Sequence, residues 1–161
     1  MIKKMFTALF LVSAILVGGD DPKSKTITCV VSGDEINKSE LKDHDHSTYR
    51  DGKVYFCCGG CKMDFDESPK KFAVKANFQL VSSGQYVQTA CPVNSGKIHT
   101  ERAKKKLKKV TVSGMEVDLC CPGCLKKYNK ASDKFALLFS DKGYEKGFSP
   151  KDSKKTQSKS K

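Results

Sequence analysis

The residues of this sequence best equipped for chemistry are its eight cysteines, which fall into two sets of four. The first is Cys29, Cys57, Cys58 and Cys61; the second is Cys91, Cys120, Cys121 and Cys124. Cys57 follows Cys29 by 28 positions, and Cys120 follows Cys91 by 29. Thiolates bind soft or borderline ions such as Zn²⁺ and Cu(I), and zinc prefers four ligands in a tetrahedron. A pair spaced as Cys57 and Cys61, or Cys120 and Cys124, can place two thiolates on one ion where a strand runs into a helix. A remote cysteine, Cys29 or Cys91, can add a third side. A helix N-terminus also favours thiolate over thiol. Cys58 and Cys121 are the obvious fourth candidates, although adjacent side chains tend to diverge.

Two other thiol chemistries compete with metal binding. An even number of cysteines in an exported chain suggests disulfides. A vicinal Cys-Cys is awkward in a stapling framework, however, and here it occurs twice at matching places. Cys58-Gly-Gly-Cys61 and Cys121-Pro-Gly-Cys124 also read as Cys-x-x-Cys redox units. A thioredoxin-like framework needs about 100 residues, more than either copy supplies. Histidines add little: His44 and His46 form a His-x-His in a polar loop, and His99 stands alone in the second copy. They are possible extra ligands, with a solvated loop as the plainer reading. No nucleophile elbow, phosphate-binding glycine loop or HExxH is present, so no enzyme is expected beyond thiol-disulfide exchange.

The elements that must position these cysteines are written twice. "CVVSGDEI" parallels "CPVNSGKI", with one extra residue expected in the second copy. "KVYFCCGGCKMDFDESPKKF" parallels "MEVDLCCPGCLKKYNKASDKF". Each copy predicts a cysteine-led turn, a polar stretch and a hairpin turning at Asp51-Gly52 or Ser113-Gly114. A short helix over 62–67 or 125–130 follows the cysteines. Ser68-Pro69 and Ser132-Asp133 look like helix restarts. Phe65, Phe72, Tyr128 and Phe135 then form apolar faces. Between the copies, "NFQLVSSGQYVQTA" alternates weakly around Ser83-Gly84 and predicts a second hairpin, or strands joining the units.

The N-terminus shows Lys3 and Lys4, an apolar run over 5–17, and Gly18-Gly19. That is the layout of a cleaved secretory signal peptide, too short to span a bilayer. The expectation is residues 1–19 as leader, 20–78 as repeat one, 79–140 as repeat two, and 141–161 as a Lys-rich disordered tail. The protein would then be exported, to the periplasm or medium of a bacterium, without stable membrane insertion. Apolar content is a modest 38 %, so each half buries a thin core and calls for a metal or cross-link. The net charge of +12 concentrates in the lysine run over 104–109 and in the tail. Such runs can bind anionic surfaces. They lack arginine and interleaved aromatics, so a solvated edge and tail are favoured and no nucleic-acid partner is expected.

The pattern of Cys29 followed by "GKVYFCCGGCKMDF…SPKKF" resembles the YHS/TRASH group of small cysteine-rich metal-binding domains. Members carry a leading cysteine knuckle, a hairpin ending Y-F-C-x-x-x-C, an aromatic residue and a P-x-x-[FY] ending. Copy one matches over 29–72. Copy two, over 91–135, keeps the cysteines, Tyr128 and Phe135 but has Ser132-Asp133 at the proline region. The resemblance implies a small, metal-stabilised α+β fold of two tandem treble-clef/zinc-ribbon-like units, each a β-hairpin followed by short helices. It also implies binding of a zinc or copper ion for sensing, trafficking or sequestration, with a metal-donor or acceptor protein as partner. Many relatives place a second cysteine in the opening knuckle where this sequence has Ser32 and Asn94. That leaves the fourth ligand open between Cys58 or Cys121, a histidine, water, and a vacant position for metal transfer.

Overall fold

A computed structural model describes residues 24–151. The expected leader, and the tail beyond 151, lie outside the described residues. Strands β1 (Thr26–Thr28) and β2 (Glu35–Asn37) pair antiparallel across the turn that carries Cys29. A 3-10 turn over Lys38–Asp43 follows, with the Ser39 N–H donating to the Asn37 side chain. Strands β3 (His46–Tyr49) and β4 (Gly52–Tyr55) form the first hairpin. Its two-residue loop is Arg50-Asp51, one residue before the expected turn, and Arg50 takes the left-handed φ of 53°. Gly52 is needed for a close approach instead: a Cβ there would lie 2.7 Å from Leu80 Cδ2. Helix α1 (Gly59–Glu67) and a 3-10 turn (Pro69–Phe72) complete the first copy.

Helix α2 (Ala73–Ser82) and strand β5 (Tyr86–Gln88) link the copies. The second copy continues with α3 (Glu101–Lys104) and the hairpin of β6 (Lys108–Val112) and β7 (Met115–Leu119). That hairpin turns at Ser113-Gly114 as expected, with both residues at positive φ, 47° and 75°. Helices α4 (Pro122–Lys130), α5 (Lys134–Phe139) and α6 (Asp141–Gly147) follow. Asp133 starts α5 by accepting from the Ala136 N–H at 2.8 Å. Strand β8 (Phe148–Pro150) closes the chain against β5. The result is a small mixed fold of short antiparallel hairpins and helices, with four two-stranded sheets among the described residues. No helix among those residues is long and apolar enough to cross a membrane.

Two expectations are corrected. The segment read as a second hairpin is helix α2 up to Ser82, then a turn and β5. The reason lies in its burial. Every residue from Ala76 to Ser82 is buried, including Asn77, Gln79 and Ser82. A helix surrounded on all sides shows no amphipathic period. The second correction concerns residues 141–150, assigned above to a disordered tail. They form α6 and β8, with Tyr144 and Phe148 in the core.

The expected boundary at 78/79 falls inside α2, whose burial joins the two copies. Phe78 stacks edge-on against both Phe135 and Phe139 of α5. Arg50 pairs with Asp141 at 2.7 Å and Glu145 at 3.3 Å, and donates to Asn77 Oδ1 at 2.9 Å. Asn77 donates in turn to the Phe139 carbonyl and to Asp141. One contiguous core runs through both halves. Glutamine amides then close the open hairpin edges. Gln79 and Gln85 each exchange a donor and an acceptor bond with β4, at Tyr55 and Lys53. Gln88 does the same for β7 at Asp118. A primary amide carries one acceptor and two donors, so it stands in for the backbone of a missing third strand.

Candidate metal centre

Each site is assembled by a turn, a strand end and a helix start. The buried Phe56 and Leu119 anchor the strand ends immediately before Cys57 and Cys120. The backbone stays extended through Cys58 (φ −157°) and Cys121 (φ −165°), the residues preceding α1 and α4. Successive side chains on extended backbone point to opposite faces. Cys57 therefore turns inward while Cys58 is exposed. Both helices begin three residues earlier than expected, so Cys61 and Cys124 lie in the first helical turn, buried.

The remote cysteines sit in matched turns. The Cys29 N–H reaches the Asp34 carbonyl at 2.7 Å, and the Cys91 N–H reaches the Gly96 carbonyl at 2.9 Å. The Gly33 N–H bonds back to the Cys29 carbonyl, and the Ser95 N–H to the Cys91 carbonyl. The expected extra residue in the second turn is absent. The two turns close through hydrogen bonds at the same offsets and end, without a gap, on the buried Ile36 and Ile98. In that register Ser32 matches Asn94, and Asp34 matches Gly96.

The sulfurs of Cys29, Cys57 and Cys61 lie within 4.8 Å of one another, as do those of Cys91, Cys120 and Cys124. The closest pairs are Cys57–Cys61 at 3.6 Å and Cys120–Cys124 at 3.7 Å. Zn–S bonds of about 2.3 Å at tetrahedral angles place sulfurs about 3.8 Å apart, and trigonal angles about 4.0 Å. A disulfide would need about 2.05 Å, and all eight cysteines are free. Each trio can thus hold a metal ion. Cys58 and Cys121 belong to neither trio, though Cys121 Sγ lies 3.7 Å from Cys124 Sγ. The histidines are elsewhere: His44 Nδ1 is 3.1 Å from the Phe56 carbonyl, His99 Nε2 is 3.2 Å from the Gln88 carbonyl, and the His46 ring rests on Tyr55.

Charge is distributed unevenly within the first trio. Burial pushes the Cys29 thiol up, but the Ser32 hydroxyl and the N–H groups of Cys57, Ser32 and Val31 outweigh it and bring it down to about 7. At Cys57 the Ser32 hydroxyl pulls down, while burial and the neighbouring Cys61 and Cys29 thiols carry it up to about 12. Burial raises Cys61, Cys120 and Cys124. The N–H groups of Cys61 and Cys124 lower Cys58 and Cys121 respectively. Within the first trio Cys29 is therefore the thiol that ionises most readily. An arriving cation would displace the remaining protons.

Ser32 and Asn94, noted from sequence only as places lacking a cysteine, touch the sites directly. Ser32 Oγ is 3.2 Å from Cys57 Sγ and accepts from the Asp34 N–H. Asn94 Oδ1 is 3.2 Å from Cys120 Sγ and accepts from the Gly96 N–H. Their shared offset of three from Cys29 and Cys91 was the available signal. Gly96 is a further site residue that the sequence did not reveal. A Cβ there would lie 2.6 Å from Cys120 Sγ and 2.9 Å from Asn94 Oδ1. Gly96→Ala is therefore expected to swing Cys120 out of its trio. Elemental analysis should find one ion fewer per chain, with the first site still loaded; unchanged stoichiometry would show that the turn has room.

Comparison of the chain with protein-family models, with curated proteins and with solved structures finds no match.

Proposed function

We propose that this chain is an exported, non-enzymatic protein that binds a thiophilic ion, zinc or copper, in each of two three-cysteine sites. Its role would be metal sensing, trafficking or sequestration, with a metal-donor or acceptor protein as partner. The observation that carries this is the pair of cysteine trios, whose 3.6 Å and 3.7 Å sulfur spacings suit thiolates around one ion. The resemblance of the repeats to YHS/TRASH domains supports it, and so does the placement of each trio at a helix start. The chain's own residues would do three things. Cys29, Cys57 and Cys61, or Cys91, Cys120 and Cys124, would bind the ion. Ser32 and Asn94 would hold the turns and donor sulfurs in place. The surrounding core would limit access of water. The test is to purify the full chain under reducing conditions and measure bound metal beside free thiols. About one zinc or copper ion per trio is expected; a metal-free protein with reactive thiols would sink the proposal.

A second reading has its own observation. Cys121 Sγ stands 3.7 Å from Cys124 Sγ at the start of α4, with its thiolate favoured by the Cys124 N–H. That arrangement suits thiol-disulfide exchange. Mass spectrometry of non-reduced peptides separates the readings. A Cys121–Cys124 disulfide, with reductase activity abolished in Cys124→Ser, would favour exchange.

A further inference from the structure

The two copies share their sulfur donors but differ in the oxygen beside them. At the first site Asp34 Oδ2 stands 3.5 Å from Cys57 Sγ. The matching position at the second site is Gly96, and the sulfur of Cys120 occupies the space a side chain would need there. At the second site the Cys120 sulfur meets the neutral amide oxygen Asn94 Oδ1 at 3.2 Å, which is already engaged by the Gly96 N–H at 2.9 Å. Each site also has a vicinal cysteine beside its helical one, Cys58 by Cys61 and Cys121 by Cys124, so the sulfur neighbours do not set the sites apart. Asp34 thus gives the first site a carboxylate that the matching position of the second, Gly96, does not supply.

Charge and softness give this difference a direction. Three thiolates and a divalent ion leave one excess negative charge, and three thiolates and a monovalent ion leave two. A carboxylate beside the site is repelled more strongly in the second case. Asp34 is not one of the three converging donors, so it acts through its charge beside Cys57, while Cu(I) is favoured where sulfur alone surrounds the ion.

Resting on the metal-binding reading above, we propose that the two sites are tuned to different ions. Asp34 biases the first site towards a divalent ion such as zinc, and Gly96 leaves the second as a sulfur site for a monovalent soft ion such as Cu(I).

Single-site chains test the idea. Cys120→Ser/Cys124→Ser retains the first site, and Cys57→Ser/Cys61→Ser retains the second. Each full-length chain is titrated with Zn²⁺ and separately with Cu(I) against competing chelators, under reducing conditions, to give a zinc-to-Cu(I) affinity ratio. The ratio should be greater at the first site by about tenfold or more, the scale on which groups around a metal tune affinity. Adding Asp34→Ala or Asp34→Asn to the first-site chain should remove that excess by weakening zinc and sparing Cu(I). Misfolding would weaken both ions, so the ratio separates loss of the carboxylate from loss of structure. Equal ratios at the two sites, or Asp34 variants that leave the ratio unchanged, overturn the inference. A pair of chains that bind neither ion overturns the metal-binding reading itself, which is a different result from two sites binding with one preference.

Discussion

A Cys29→Ser chain is expected to hold one ion fewer than the unsubstituted chain. It should also lose about 4 kcal/mol of metal-dependent stability when free ion exceeds the site's Kd about a thousandfold. Cys29 is fully buried and reaches its trio from the β1–β2 turn, an element separate from the one carrying Cys57 and Cys61. The ion would therefore tie two distant stretches of chain together, and losing one of three ligands loosens that tie. A serine hydroxyl at the same place is a poor donor for a thiophilic ion. The measurement is thermal or urea unfolding with and without a strong chelator, on both chains. The chelator-induced loss should shrink by about half in Cys29→Ser, since one of two sites remains to be emptied. An equal loss in the two chains would sink the assignment of Cys29 as a ligand. The metal-free protein offers an independent check. The Cys29 thiol is lowered from 9.0 to about 7, so its ionisation contributes stability that is complete above pH 9 and is lost as pH falls through 7. Metal-free Cys29→Ser should show a shallower stability slope between those pH values.

Gln79→Ala is expected to destabilise the fold by about 3–5 kcal/mol, a large share of the stability of a domain this size. Gln79 is 1 % exposed. Its Nε2 donates to the Thr28 carbonyl at 2.8 Å and the Tyr55 carbonyl at 2.9 Å, and its Oε1 accepts from the Tyr55 N–H at 2.7 Å. Truncation leaves three part-buried backbone groups without their partner, at about 1–3 kcal/mol each, and leaves a void besides. Gln85 makes the matching pair of bonds at Lys53, but at an exposed edge where water can replace it. Gln85→Ala should therefore cost less than about 1 kcal/mol. Urea unfolding of both variants provides the comparison, read as midpoints at constant slope. If Gln79→Ala proves no more costly than Gln85→Ala, the edge-closing role is wrong. Because Tyr55 immediately precedes Phe56 and Cys57, the Gln79 variant should also weaken the first metal site more than the second.

The sequence displayed the duplicated units well because local spacing creates them. Cysteine offsets, the Ser113-Gly114 turn and the strand-to-helix switch at the vicinal cysteines are all short-range features, and each was legible. Where the reading slipped, the missing information was long-range. The period of α2 is hidden because core from both copies surrounds it, so polar Asn77, Gln79 and Ser82 are buried beside Phe78 and Leu80. Residues 141–150 look like the start of a lysine-rich tail until Tyr144 and Phe148 are seen packed against Tyr86 and Phe139. The turn expected at Asp51-Gly52 falls one residue earlier, and Gly52 serves instead as a strand residue that Leu80 approaches closely.

What the sequence determined by itself is the donor chemistry: two groups of thiols, each with a remote member and a close pair, carried on repeated hairpin-helix units. Only the tertiary structure decided which thiols converge. Extended backbone at the helix start turns Cys57 and Cys120 inward and leaves Cys58 and Cys121 outside the trios. Tertiary structure also fixed the register that sets Asp34 opposite Gly96, because that register depends on where the Cys29 and Cys91 turns close. The physical reason is the same throughout. Ligand identity is written residue by residue, whereas the distances between ligands are set by a core that draws on both halves of the chain.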